Sequence, residues 1–261
     1  MDIPQKIRQI IGSRPYTVDK IGMSGARIVC FDDMVLKIEK QNETSDNERI
    51  MTSWLSDKLP APKLLCSETK DNTNYLLMSK IEGRMLCSPE FLENPAQLIK
   101  LLAEGLRMLW SVDITGCPYE NSAENKLTLA QTRVSLNLCD TQSAEPGTYG
   151  KTGFNSPAHL LEWLKRNKPM ETFVFSHGDL CLPNIFAKDN KISGFVDLGS
   201  SGIADKYQDV ALCYRSIEHN FNGRFGGRTY NGFFAEMLFE ELDIVPDWDK
   251  LNYYILLDEL F

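Results

Sequence analysis

His177-Gly178-Asp179-Leu180-Cys181-Leu182-Pro183-Asn184, followed downstream by Asp197-Leu198-Gly199, is the stretch on which the reading of this chain turns. The asparagine stands five residues after the first aspartate, and the second aspartate thirteen residues after the asparagine. Phosphoryl transfer from a nucleotide asks for such groups: one carboxylate beside the acceptor hydroxyl, an amide oxygen that reaches Mg²⁺, and a second carboxylate that holds the metal against the phosphates. The flanking residues fit. Thr172-Phe173-Val174-Phe175 reads as a short apolar strand that delivers His177 and Asp179 at its end. Asn184-Ile185-Phe186-Ala187 and Ile192-Ser193-Gly194-Phe195-Val196 read as two strands around an Asp189-Asn190 turn. Asn184 and Asp197 then begin and end a hairpin, close enough to share a metal that favours hard oxygen ligands. A turn-forming Asp or Asn at a strand end accounts for any one of these residues. It does not account for all of them at this spacing.

The spacing is that of the protein-kinase catalytic loop, which predicts a nucleotide-binding lobe upstream. Tyr16 to Ile21 is strand-like, Gly22-Met23-Ser24-Gly25 is a small-residue turn, and Arg27 to Phe31 returns as a strand. Such a turn, with Ser24 as its nominated contact, lays backbone N–H groups over phosphates. Met34-Val35-Leu36-Lys37-Ile38 follows, and a lysine inside an apolar strand needs a partner. The kinase template gives Lys37 the α- and β-phosphates and a glutamate on the next helix. Glu48 is the candidate. Ser45-Asp46-Asn47-Glu48 also spells a helix capping box, so Glu48 is either a cap or the partner of Lys37. The ion pair is the favoured reading.

The chain resembles the aminoglycoside 3'-phosphotransferases, antibiotic-resistance kinases with a protein-kinase-like fold, over essentially its whole length. The resemblance runs through Trp54 to Lys63, Tyr75 to Ser79, Phe175 to Leu180, Gly194 to Gly199, Ala204 to Lys206 and Tyr253 to Phe261. It implies an α+β, two-lobed fold, with an antiparallel-sheet lobe at residues 1–80 and a mainly helical catalytic and acceptor lobe at 81–261. It further implies transfer of the γ-phosphoryl of ATP, or of GTP, to a hydroxyl of a kanamycin- or neomycin-type antibiotic. In these terms Asp179 is the base, Asn184 and Asp197 hold Mg²⁺, and Ser79 and Ile81 meet the adenine edge. Asp258, Glu259 and the terminal carboxylate of Phe261 bind the cationic acceptor. The alternatives are a kinase of another small hydroxyl compound with the same fold, and a nucleotide-binding protein with little turnover. Three positions depart from the family pattern: Ser200 replaces an arginine after Asp-Leu-Gly, Val35 replaces an aromatic two residues before the lysine, and Asp140 to Pro157 holds only Asp140 and Glu145 as acids.

A formal charge of −8 argues against non-specific nucleic-acid binding and suits a polycationic small molecule. There is no run of eighteen apolar residues, and Met1-Asp2-Ile3-Pro4 does not begin a signal peptide, so the expected location is cytoplasmic and off the membrane. Seven cysteines without C-x-x-C pairs read as reduced thiols, and His159, His177 and His219 are too dispersed for a metal cluster, leaving His177 to orient the catalytic loop. Asp209, at the head of an apolar face through Val210, Ala211, Tyr214 and Ile217, either anchors that loop from below or is a plain first-turn acid. Thr141 to Pro157 is a candidate substrate lid. Gly223-Arg224-Phe225-Gly226-Gly227-Arg228 lacks the preceding strand that a phosphate loop needs, and reads as a helix–helix connection.

Overall fold

The computed structural model describes residues 3–19, 25–224, 227–231 and 233–261. Its elements in chain order begin with helix α1 (Gln5–Ile11), strands β1 (Thr17–Asp19), β2 (Arg27–Cys30) and β3 (Met34–Lys40), helix α2 (Glu43–Trp54), and strands β4 (Leu64–Lys70), β5 (Thr73–Ser79) and β6 (Arg84–Met85). Helices α3 (Pro89–Leu92), α4 (Pro95–Trp110), α5 (Ala123–Ser135) and α6 (Pro157–Arg166) follow, then strands β7 (Phe173–Ser176), β8 (Ile185–Lys188), β9 (Lys191–Phe195) and β10 (Gly202–Asp205). Helices α7 (Lys206–Asn222), α8 (Met237–Leu242) and α9 (Trp248–Asp258) close the chain. Packing divides it into two compact units, one of residues 1–86 with 183–201, the other of residues 87–182 with 202–261. The sequence expectation divides the chain after residue 80. By packing, the first unit runs six residues further and also takes in the hairpin that carries Asn184 and Asp197.

In the first unit β1-β2-β3-β5-β4 form an antiparallel sheet, with Val35 opposite Met78 and Lys37 opposite Leu76 on β3 and β5. Alternation along β3 sorts its residues onto two faces. Met34 and Leu36 join Ile7 and Ile11 of α1, Val29, Phe31 and Leu77 in one core, whereas Val35 and Lys37 face the other way. Helix α2 starts one turn earlier than the sequence predicts. Its capping box is Asn42 with Ser45, the Ser45 N–H donating to Asn42 Oδ1 at 2.8 Å and the Asn42 N–H to Ser45 Oγ at 2.9 Å. The box expected at Ser45 and Glu48 is therefore not formed, and the Glu48 carboxylate is left for another partner. A second sheet of this unit, β6-β8-β9, turns at Asp189-Asn190, both with positive φ (51° and 60°), as a two-residue hairpin turn requires.

The second unit is mostly helical. The predicted face of α4 is buried at Leu98, Ile99, Leu101, Leu102, Leu106 and Leu109, while Trp110 is half-buried. Phe175 of β7, Val210, Ala211 and Ile217 of α7, and Tyr253 and Leu257 of α9 complete the interior. Strand β7 pairs with β10, antiparallel, Ser176 opposite Gly202 and Phe173 opposite Asp205. Among the described residues no helix is long and apolar enough to cross a membrane.

Candidate active site

Lys37 is 7% exposed, and its Nζ donates to Glu48 Oε2 at 2.6 Å and to Asp197 Oδ1 at 2.8 Å, with Glu39 Oε1 at 3.5 Å. All four residues belong to the first unit. The ion-pair reading of Glu48 holds, and the cap reading falls with the shifted box. Burial opposes the charge on Lys37, but Glu48, Asp197 and Glu39 outweigh it and hold the ammonium above the ordinary lysine range. Burial likewise pushes Glu48 up to about 7 against the pull of Lys37, and raises Glu39. Three carboxylates around one ammonium leave this cluster rich in negative charge.

Asp197 reaches Lys37 because its backbone is left-handed (φ 62°, ψ 56°), which turns the chain sharply into a short 3₁₀ segment, Leu198–Ser200. Helix α2 grips that segment. Asn47 Nδ2 donates to the carbonyls of Gly199 at 2.8 Å and Ser201 at 3.0 Å. A Cβ at residue 199 would lie 2.6 Å from Thr44 Cγ2 and 2.8 Å from Thr44 O, so the glycine of Asp-Leu-Gly is demanded by close approach to α2. Asn184 is brought to the same hairpin base, its carbonyl accepting from the Val196 N–H at 3.0 Å. Hard oxygen donors in excess of resident cations are what Mg²⁺ takes, so Asn184 and Asp197 fit that ion by donor chemistry.

Two nominated nucleotide contacts stand differently. Ser24 lies outside the described residues. Ser79 donates its N–H to Lys63 O at 2.9 Å, in the segment just before β4, and that removes this donor from the adenine edge. Ile81 packs its side chain against Gly194, where a Cβ would sit 2.8 Å from Ile81 Cδ1. Val35 shares the face of Lys37, the position from which an adenine-stacking aromatic would act.

In the second unit the chain leaves β7 at Ser176 and turns through Gly178 (φ 81°). Asp209, fully buried in the first turn of α7, receives this turn: Oδ1 accepts from Ser176 Oγ at 2.9 Å and the Gly178 N–H at 2.9 Å, and Oδ2 from the His177 N–H at 2.8 Å. The anchor reading of Asp209 is the correct one. Burial pushes its carboxyl up, against His177 and these three donors. Two helical turns on, Ser216 Oγ accepts from the Leu182 N–H at 3.0 Å, so α7 holds both ends of the loop. Buried His177 turns Nδ1 toward the Asp179 N–H at 3.4 Å, which is the orienting role expected of it. Asp179 itself is half-buried.

The nominated acceptor residues also gather in this unit, around cations that the sequence did not flag. Arg215 of α7 meets Asp258 Oδ2 at 2.5 Å and Glu259 Oε1 at 3.7 Å. The main-chain oxygen of Phe261 accepts from Arg133 Nη2 at 2.6 Å, and Lys126 Nζ stands 5.0 Å from the centre of the Phe261 ring. Burial lowers the Lys126 pKa, against the opposing pull of Asp258, Asp179 and Asp209. Glu259 is the least available of the three, its side chain 6% exposed and accepting from the Glu145 N–H. Asn47, Ser176 and Ser216 likewise escaped the sequence reading, since a polar residue in a helix or at a strand end carries no local mark of a distant backbone partner.

Comparison with known proteins places this geometry. The model of the phosphotransferase enzyme family matches residues 25–254. Aminoglycoside 3'-phosphotransferases from Enterococcus faecalis and Staphylococcus aureus are 39% and 38% identical, each aligned over 100% of this chain and 99% of the relative. Among solved structures, an aminoglycoside-3'-phosphotransferase of type VIII superposes with a TM-score of 0.81 at 23% identity, covering 98% of this chain and 97% of the other. An aminoglycoside phosphotransferase from Streptomyces rimosus, in complex with ADP and streptomycin, gives 0.78 at 23% over 97% and 95%. The fold is thus α+β and protein-kinase-like. The chain belongs to the phosphotransferase enzyme family and, within it, to the aminoglycoside 3'-phosphotransferases.

Proposed function

We propose that this chain transfers the γ-phosphoryl group of ATP to the 3'-hydroxyl of a kanamycin- or neomycin-type aminoglycoside, inactivating the antibiotic in the cytoplasm. The observation that carries the nucleotide half is Lys37 held between Glu48 and Asp197 at 2.6 and 2.8 Å. A lysine so fixed presents its charge to the α- and β-phosphates without first losing side-chain freedom. The first unit is the nucleotide-binding one, with Ser24, the carbonyl of Ser79 and Ile81 as its further contacts, and the second binds the acceptor through Asp258, Glu259 and Phe261.

Asp179, on a loop fixed by Asp209 and Ser216, orients the acceptor hydroxyl. It takes the hydroxyl proton as oxygen bonds to the γ-phosphorus and the bond from that phosphorus to the β–γ bridging oxygen breaks, releasing ADP. Asn184 and Asp197 would hold Mg²⁺, which when bound supplies positive charge to the phosphate oxygens. No membrane or nucleic-acid partner enters this scheme.

The test is ADP release across an aminoglycoside panel, with ATP and GTP in parallel, and NMR of the product. Turnover with kanamycin-type acceptors, phosphate on the 3'-oxygen, and poor turnover of acceptors lacking that hydroxyl are expected. An enzyme inactive on every aminoglycoside tried, yet active on another small alcohol, would overturn the reading.

A further inference from the structure

The connection after α7 that resembles no phosphate loop has a different employment. Gly223 ends α7 in the left-handed region (φ 75°), and a Cβ there would meet Gly227 O at 2.9 Å. The Arg224 N–H then donates to His219 O at 3.2 Å and to Asn222 Oδ1 at 2.9 Å, which fixes the root of the arginine. Its guanidinium points into the candidate lid. Nη1 bonds Glu145 Oε2 and lies 3.0 Å from His219 Nε2, while Nη2 lies 3.4 Å from the carbonyls of both Ser143 and Ala144. His219 Nε2 meets the other oxygen of Glu145 at 2.8 Å. The Glu145 N–H in turn points at both oxygens of Glu259, each at 3.2 Å.

The lid has two acids, and neither is aimed at a ligand. Asp140 closes its own turn, accepting from Ser143 Oγ at 2.7 Å and the Gln142 N–H at 2.9 Å. Glu145 is held by Arg224. Asp258, Glu259, Glu145 and the terminal carboxylate of Phe261 therefore stand among Arg215, Arg224, Arg133 and Lys126, four acids against four bases, in a region expected to bind a polycation. A site of near-zero net charge gains little from each further ammonium group on its ligand.

We propose that Arg224 is a specificity-determining residue: it occupies the lid carboxylate Glu145 as a resident counter-ion, and so withholds one anion from the acceptor. This rests on the aminoglycoside reading above. It means that the enzyme discriminates little between neomycin-type acceptors and kanamycin-type acceptors, which carry fewer ammonium groups.

The test uses the full chain with Arg224→Gln, Glu145→Gln and the double variant. Arg224→Gln takes the guanidinium from Glu145 and leaves it the His219 contact, so the KM for neomycin should fall about 3–5-fold, the scale of one partly exposed charge pair, with a smaller fall for kanamycin and an unchanged KM for ATP. Glu145→Gln alone should move KM less than about 2-fold, since that carboxylate is already occupied, but should abolish the gain in the double variant. A KM for neomycin that is unchanged or raised by Arg224→Gln overturns the proposal. Tryptic cleavage after the exposed lid residue Lys151, read by mass spectrometry, reports the clasp without reference to activity. It should quicken several-fold in Arg224→Gln, and an unchanged rate overturns the clasp even if no aminoglycoside is turned over.

Discussion

Asp209→Asn is the sharpest probe of how this fold serves its chemistry. The carboxylate is fully buried and accepts three hydrogen bonds, from Ser176 Oγ and from the N–H groups of His177 and Gly178. An asparagine keeps the shape but offers one oxygen. In its better orientation that oxygen stays with Ser176 and Gly178, and the NH₂ group faces the His177 N–H. One charge-assisted bond is then lost, worth roughly 1.5–3 kcal/mol, and a buried donor is left facing a donor, at about 1–3 kcal/mol more. The sum is about 3–6 kcal/mol. At about 2–4 °C per kcal/mol for chains of this size, Tm should drop by at least ~6 °C. The loop backbone moves with it, and a displacement of ~1 Å at Asp179 costs on the order of 10²-fold in phosphoryl transfer. Differential scanning calorimetry and single-turnover kinetics on the same preparation check both numbers. A variant that melts within about 2 °C of the parent, with turnover within about 3-fold, refutes the anchoring argument and leaves Asp209 an ordinary first-turn acid.

Asp179→Asn should lower phosphoryl transfer by at least ~10²-fold while Mg-nucleotide binding, followed by calorimetric titration, survives. Lys37→Ala and Glu48→Ala should each weaken catalysis, with the double variant little worse than either, because the two act as one unit; additive losses would separate them. Gly199→Ala forces a Cβ to within 2.6 Å of Thr44 Cγ2 and 2.8 Å of Thr44 O. It should cost about 1–3 kcal/mol of stability and raise the nucleotide KM by shifting Asp197. A Gly199→Ala enzyme with parental kinetics and melting would mean that α2 yields freely at that point.

The parts of the site legible in the sequence are those in which a residue type is locally odd. A lysine between Leu36 and Ile38 announces a partner, and a positive-φ pair such as Asp189-Asn190 between two apolar runs announces a hairpin. Where two local rules competed, sequence left the choice open. Glu48 could cap α2 or pair with Lys37, and only the structure, with Asn42 and Ser45 forming the box, leaves the pair standing. Arg133, Arg215 and Arg224 were invisible for another reason. Their partners Phe261, Asp258 and Glu145 stand 128, 43 and 79 residues away, beyond any periodicity. The division by packing is hidden on the same ground, since nothing in residues 183–201 tells which unit they will join.

That hairpin makes the first unit discontinuous, and this bears on how the protein is made. During synthesis residues 1–86 emerge well before residues 183–201, with the five-stranded sheet and α2 already encoded. At that stage Lys37 has Glu48 and Glu39 for company but lacks Asp197, and the amide of Asn47 lacks the carbonyls of Gly199 and Ser201. The five-stranded sheet is complete by then, but β6 must wait while nearly a hundred residues of the other unit are translated before its partners β8 and β9 arrive. A domain interrupted in this way is exposed to aggregation for longer than one made in a single pass. An expressed fragment ending at Leu86 would reproduce that waiting state, a sheet with a buried lysine and no aspartate to complete its cluster.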